Sequence, residues 1–316
     1  MSVEVIQIES REQWLAARAK DITSTEIAAL YGLSPYITEF ELFHNKRDGV
    51  RTQITENERM TWGNRLEAAI AYGAAEDMGW DISKMDVYMR DAEARIGSSF
   101  DYKIVSGDNA PGVLEIKNVD GLMYRKNWID DGAGNIEAPE HIELQIQHQM
   151  EVCGFEWCAL VALVGGNEQK VIFRKRDREI GKDIRAKVAE FWDRVDNNRA
   201  PTPDYVADAE YIIKQLHSTA EEGLIAQSDT DLDEMIERYA FLSRAITEQT
   251  GLRDATKAQI LERIGKASKV ISPLGTISCG MTKASAGKLV TPEMVGTYIG
   301  ARDGYRSFRF NQAKGA

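Results

Sequence analysis

Cysteine is scarce: Cys153, Cys158 and Cys279 are the three in 316 residues, they form no even set, and no pair stands in C-x-x-C spacing. That argues against structural disulfides, zinc and an iron–sulfur cluster, and leaves the thiols as core or incidental residues. Histidine is equally thin, and His44, His141 and His148 with Cys153 build no alternative site. No run of eighteen apolar residues occurs, and Met1 to Ser10 lacks a basic region followed by an apolar stretch. Neither a membrane span nor a secretory leader is expected, and the expected location is the cytoplasm. Positive charge is also in deficit, with 39 Lys and Arg against 50 Asp and Glu, a formal net charge of −11. Such a surface does not attract polyanions as a whole, so basic residues that contact one must be confined to a channel. There is no tandem repeat and no low-complexity tract.

What is present is an ordinary globular balance, 43% hydrophobic and 28% charged, over a length that suits one large domain or two smaller ones. Helical spacing runs from Ser10 to Arg18, and Asp21 to Glu26 reads as a break before a newly capped helix through Tyr31, stopped by Gly32 and Pro35. Thr38 to Asp48 predicts a short helix, and Met60 opens a longer one toward Met78 that carries Glu67. Ile82 to Met89, Ala94 to Val105 and Gly112 to Val119 alternate like strands of a meander. Pro139 starts a helix with Gln145, Gln147, His148 and Gln149; Trp157 to Val164 and Lys170 to Arg176 read as strands, and Asp177 to Asn197 as an amphipathic helix.

Pro201-Thr-Pro203 closes this first part, so the expected division is a core over 1–203 and an extension over 204–316. In the extension, Asp229 to Lys266 is strongly helical with apolar residues at Leu232, Ile236, Tyr239, Leu242 and Ile246, a stripe that suits an intramolecular packing face better than a coiled-coil seam. Short strand-like runs follow from Ser268. The expected fold class is α/β (α+β), a mixed central sheet flanked by helices, with a helical and β-hairpin extension.

The most informative stretch is Gly97 to Val119, which holds Asp101, Glu115 and Lys117. On a strand, residues i and i+2 share a face, so Glu115 and Lys117 point one way while Leu114 and Ile116 point the other. A carboxylate beside an ammonium among apolar neighbours suits metal-assisted phosphodiester hydrolysis, in which two carboxylates hold a divalent cation and a lysine orients water or steadies charge. A solvated ion pair on a strand, with Asp101 as a turn former, is the plainer alternative.

Six motifs occur in order: W-x-x-x-R at Trp14 and Arg18, I-T-S-T-E at Ile22 to Glu26, W-G-x-x-x-E at Trp62 to Glu67, S-x-D at Ser99 and Asp101, L-E-I-K at Leu114 to Lys117, and Q-x-Q-x-Q at Gln145 to Gln149. This series resembles the lambda-exonuclease or YqaJ-type viral recombinase family of PD-(D/E)XK nucleases, over about Glu12 to Trp192. The resemblance implies a restriction-endonuclease-like core and a site in which Glu67, Asp101 and Glu115, with the Ile116 carbonyl, bind Mg²⁺ or Mn²⁺. It makes Lys117 the catalytic lysine and Gln145 its positioning partner, and it gives Arg18, Thr25 and Ser99 a 5′-phosphate pocket. It implies a metal-dependent DNA exonuclease resecting duplex ends 5′ to 3′ for a phage single-strand-annealing partner in a bacterial cytoplasm, with no membrane, as a homo-oligomer such as a trimeric ring. The alternatives are an endonuclease of the same superfamily and a non-catalytic DNA-binding protein. The superfamily proline is absent, Phe100 preceding Asp101, and thirteen residues separate Asp101 from Glu115.

Plainer readings stand beside these. Glu67 suits a helix N-terminal acid, Thr25 an N-cap, Arg18 the surface, and the glutamines a polar helix face. The basic residues Lys170, Arg174, Lys175, Arg176, Arg178, Lys182 and Arg185 suit either a phosphate track or a solvated surface. The tail residues Arg302, Tyr305, Arg306, Phe308, Arg309 and Phe310 suit a closing strand more than a DNA grip.

Overall fold

The computed structural model describes residues 3–49, 57–107, 109–217, 221, 223–284 and 309–312. It divides into two compact units, Met1–Ala220 and Glu221–Ala316. The first runs through β1 (Val3–Gln7), α1 (Arg11–Arg18), β2 (Ile22–Thr23), a 3-10 turn (Ile27–Tyr31), α2 (Glu39–Arg47) and α3 (Glu58–Met78). Five strands follow: β3 (Ile82–Lys84), β4 (Val87–Asp91), β5 (Ile96–Ser99), β6 (Tyr102–Ile104) and β7 (Gly112–Val119). Then come α4 (Gly121–Asn127), the short pair β8 (Ile129–Asp130) and β9 (Ile136–Glu137), α5 (Glu140–Cys153), β10 (Trp157–Val164), β11 (Glu168–Lys175), α6 (Arg178–Asp196) and one turn, α7 (Ala209–Tyr211). The helices start where side chains satisfy the first free backbone N–H groups: Ser10, Thr38, Asn57, Asp120 and Asp177 each accept such a bond.

Two larger sheets result beside the β8-β9 pair, in the orders β1-β4-β5-β2 and β11-β10-β7-β6-β3. The second is mixed: β7 and β10 are parallel, and the other pairs antiparallel. The meander expected from Ile82 to Val105 is instead shared between the sheets. The chain leaves one for the other at Met85-Asp86 and again at Phe100-Asp101, because Met85 and Phe100 both turn into the same apolar core, and the Met85 N–H donates to the Asp101 carbonyl at 3.1 Å.

Along β7 the alternation holds. Leu114 and Ile116 pack with Ile70, Ala71 and Ala74 of α3, whereas Val113 joins the core that contains Ile146 and Met150 of α5. The sheet therefore carries α3 on one face and α5 on the other, and α5 is the crossover helix between the parallel strands β7 and β10. Past Pro203 the first unit continues: the Thr38 hydroxyl donates to Asp208 at 2.5 Å, and Tyr211 packs edge-on against Phe40.

The second unit holds α8 (Thr230–Ile264) and a three-stranded sheet of β12 (Lys269–Ser272), β13 (Gly275–Ser278) and β14 (Arg309–Gln312). Gly251 lies inside α8, which is one helix of 35 residues with none fully buried; Leu232, Ile236, Tyr239, Leu242 and Ile246 are exposed, so this part of the stripe is not the intramolecular packing face expected, while Ile260, Leu261 and Ile264 are half-buried. Arg309 and Phe310 lie in β14, paired with β13. Arg302, Tyr305, Arg306 and Phe308 lie outside the described residues.

Candidate active site

Glu115 is 2% exposed on β7, facing α5. Its Oε1 accepts from Lys117 Nζ at 2.5 Å and from Gln145 Nε2 at 2.6 Å, and its Oε2 accepts from Gln149 Nε2 at 2.7 Å. Lys117 Nζ also donates to Gln145 Oε1 at 3.2 Å. Two helical residues four apart lie one above the other, which is how Gln145 and Gln149 reach the two oxygens of one carboxylate. Neither a solvated strand pair nor a plain polar helix face describes this arrangement. Burial pulls the Lys117 ammonium toward neutrality, but the Glu115 and Asp101 carboxylates outweigh it, and the group titrates above its ordinary value.

β6 begins at Tyr102, opposite Leu114, so β7 outruns its neighbour from Glu115 onward. Asp101 takes over there, its Oδ2 accepting from the Ile116 N–H at 2.8 Å. A strand residue's N–H and C=O leave the backbone on one side, so the Ile116 carbonyl faces the edge where Asp101 stands. Burial first, then the Glu115 and Glu67 carboxylates, push the Asp101 carboxyl well above its usual range, with Lys117 opposing. Glu67 lies on α3, across the sheet from α5; its carboxylate is 3.9 Å from Lys84 Nζ, and burial raises its pKa with a smaller push from Glu115. Among the described residues, no three His, Cys, Asp or Glu side chains converge at metal-ligating distance. Glu67 is therefore not brought into a three-carboxylate ligand set. Asp101, Glu115 and the Ile116 carbonyl form an all-oxygen donor set that fits Mg²⁺ or Mn²⁺, which take one or two carboxylates and complete their shells with water.

The second group of expected residues also comes together. Arg18 Nη2 donates to Thr25 Oγ1 at 2.9 Å and to Thr23 Oγ1 at 3.2 Å, and its guanidinium lies 4.4 Å from the Trp14 ring centroid. The Trp14 indole N–H donates to Ser99 Oγ at 2.8 Å. Thr25 is not an N-cap, since no side chain caps the 3-10 turn. Beneath this pocket, Glu26 accepts from Thr23 and from Lys46, and Lys46 also donates to the carbonyls of Arg18 and Asp21. Burial raises the Glu26 pKa, but Lys46 and Arg18 overcome it and hold the carboxylate ionised. Ser99 links the two groups, because its carbonyl accepts from Gln149 at 3.4 Å.

Sequence reasoning missed Thr23, Lys46 and the supporting role of Trp14. Trp14 left a signal in its one-turn spacing from Arg18 and Thr23 in the I-T-S-T-E motif, whereas Lys46 left none. His148 is fully buried, and its Nε2 meets the Gly97 carbonyl at 3.1 Å. Of the basic run, Lys170, Arg174, Arg176, Arg178, Lys182 and Arg185 each pair with a carboxylate, the arrangement of an ion-paired surface.

Fold and cluster define a class: a mixed α/β core that gathers two carboxylates, a lysine and two glutamines where one central strand outruns its neighbour. Residues 13–156 match the family model described as a YqaJ-like viral recombinase domain. The protein named YqaJ from Bacillus subtilis (strain 168) is 27% identical over 244 residues, 76% of this chain and 73% of that one. Among solved structures, an alkaline exonuclease (LHK-Exo) from Laribacter hongkongensis is similar at 20% identity and a TM-score of 0.47, over 66% of this chain and all of that one. A phage related exonuclease from Haemophilus somnus 129PT is similar at 12% identity and a TM-score of 0.38, over 56% of this chain and 96% of that one. Among the described residues, no helix is long and apolar enough to cross a membrane.

Proposed function

We propose that this chain is a Mg²⁺- or Mn²⁺-dependent DNA exonuclease that resects duplex ends 5′ to 3′ and leaves a single strand for a phage annealing protein. The observation that carries the reading is Glu115, whose carboxylate is held by Lys117, Gln145 and Gln149 at the strand edge where Asp101 stands. The match to a viral recombinase domain supports the recombination context. Asp101, Glu115 and the Ile116 carbonyl hold the cation, with Glu67 adding negative charge from α3. When bound, the cation supplies charge neutralisation at the phosphoryl oxygens and makes water more acidic.

The chain's own groups divide the rest of the work. Lys117 has one N–H left beyond its bonds to Glu115 and Gln145, and donates it first to the attacking water and then to the negative charge that grows in the transition state. Gln145 fixes the Lys117 ammonium, and Gln149 fixes the carboxylate beside it. Water adds to phosphorus and gives up a proton to solvent, the P–O3′ bond breaks, and the leaving 3′-oxygen takes up a proton from solvent, so the shortened strand again begins with a 5′-phosphate. Arg18, Thr25 and Ser99 receive that phosphate through charge-assisted and hydroxyl hydrogen bonds. The expected homo-oligomer, such as a trimeric ring, would hold the duplex between successive cuts.

The test uses the full chain with Mg²⁺ or Mn²⁺ and two DNAs, a 5′-phosphorylated linear duplex and a covalently closed circle, with Lys117→Ala as control. Lys117-dependent release of mononucleotides from the linear DNA alone is expected. Cutting of the circle would instead make the enzyme an endonuclease, and no Lys117-dependent cleavage would leave a binding protein.

A further inference from the structure

One aromatic at the rim of the cluster has no part in the chemistry above. Tyr36 is 80% exposed on the short loop between the 3-10 turn and α2. The loop is pinned, because Ser34 Oγ accepts from the backbone N–H groups of both Tyr36 and Ile37 at 3.2 Å. Its ring contacts His141, with centroids 5.8 Å apart and planes at 87°. His141 lies on the first turn of α5, four residues before Gln145, so it stands on the same helix face one turn beyond the glutamine that bonds Lys117. Lys117 is close enough to influence both: its charge, after burial, lowers the His141 pKa, and the Tyr36 phenol contributes to the environment of Lys117.

An exposed aromatic costs solvation and here stabilises no core, yet it is held by a capped loop and an edge-to-face neighbour beside the reactive lysine. An edge-to-face contact leaves ring surface open, and a ring face is what a nucleobase stacks on, whatever its sequence. We propose that Tyr36, buttressed by His141, is the stacking platform for the base of the nucleotide released at each cut. The inference rests on the nuclease reading and adds to it a contact to the base, where the groups already described contact phosphate and water. His141 acts through Tyr36 and is a positioning residue.

The experiment has two readouts on wild type, Tyr36→Ala, Tyr36→Phe and His141→Ala. In the first, steady-state cleavage is compared on duplex ends with a normal or an abasic terminal nucleotide. Tyr36→Ala should raise KM about tenfold on normal DNA, more than it lowers kcat. Tyr36→Phe should behave like wild type, and His141→Ala should fall between. On abasic DNA, wild type and Tyr36→Ala should coincide. In the second, 2-aminopurine at the 5′ terminus should be quenched on binding to wild type or Lys117→Ala and much less on binding to Tyr36→Ala. Equal KM for Tyr36→Ala and wild type, or an undiminished quench with Tyr36→Ala, would overturn the platform. The two failures separate: Lys117-independent DNA turnover or none sinks the nuclease reading, while the fluorescence experiment still decides whether Tyr36 stacks on a base.

Discussion

At the scale of single residues, Asp101 carries the strongest electrostatic conflict in the site. Its carboxyl titrates well above the ordinary range, so the folded state holds a proton that the unfolded chain gives up, and stability falls as pH rises from about 4 through the folded value. Asp101→Asn keeps an oxygen for the Ile116 N–H and removes the charge. Calorimetry should find the metal-free variant about 2–4 °C more stable at pH 7, and the rise in Tm that millimolar Mg²⁺ gives the native chain should be missing from it. Arg18→Ala should cut the preference for 5′-phosphorylated over 5′-hydroxyl ends about tenfold in competition, since a charge-assisted bond is worth about 1.5–3 kcal/mol. An unchanged preference would remove the pocket. Part of this site was legible: Glu115 and Lys117 share a face of β7 as their spacing implies, whereas Gln145 was named only through the family resemblance, its bond to Lys117 spanning 28 residues. What could not be read was Lys46, whose side chain, 6% exposed, holds the pocket from twenty residues beyond Glu26.

Among the elements, α5 does most of the organising, and its buried histidine gives it a pH dependence. Burial lowers His148 from 6.5 to about 4, opposed by its bond to the Gly97 carbonyl. The unfolded imidazole therefore takes up a proton first. This contribution to stability is complete above about pH 6.5 and is lost as pH falls toward 4, by about 3 kcal/mol in all. Urea melts across that window should show the loss for the native chain and a flatter profile for His148→Gln. The strand facing His148 is equally tight, for a Cβ on Gly97 would overlap the Tyr88 hydroxyl and lie 2.8 Å from Asp21 Oδ2. Gly97→Ala should cost about 1–3 kcal/mol by the same melts. Helix and strand positions followed from periodicity, as in β10 and α6. Their sheet membership did not, because one alternating run from Ile82 to Met89 reads alike whether its halves lie in one sheet or two, and only the burial of Met85 separates them.

For the molecule as a whole, every residue of the acid–lysine cluster and of the Arg18 pocket belongs to the first compact unit. A chain ending at Ala220 should unfold cooperatively and retain Lys117-dependent cleavage; loss of either would assign the second unit a share in the site. The end of the first unit was hard to read, because Pro201 and Pro203 look like a boundary, while the tie from Asp208 to Thr38 spans 170 residues and leaves no local mark. The crossing from one sheet to the other at Phe100 has a wider meaning. Ser99, in the group that would read the end of a strand, and Asp101, in the group that would cut it, are two residues apart, so their Cα atoms cannot be separated by more than about 7 Å. On the proposed function, the distance from terminus to scissile bond would be a covalent ruler rather than a product of packing, and the enzyme's stride would be one nucleotide for as long as that three-residue segment keeps its length.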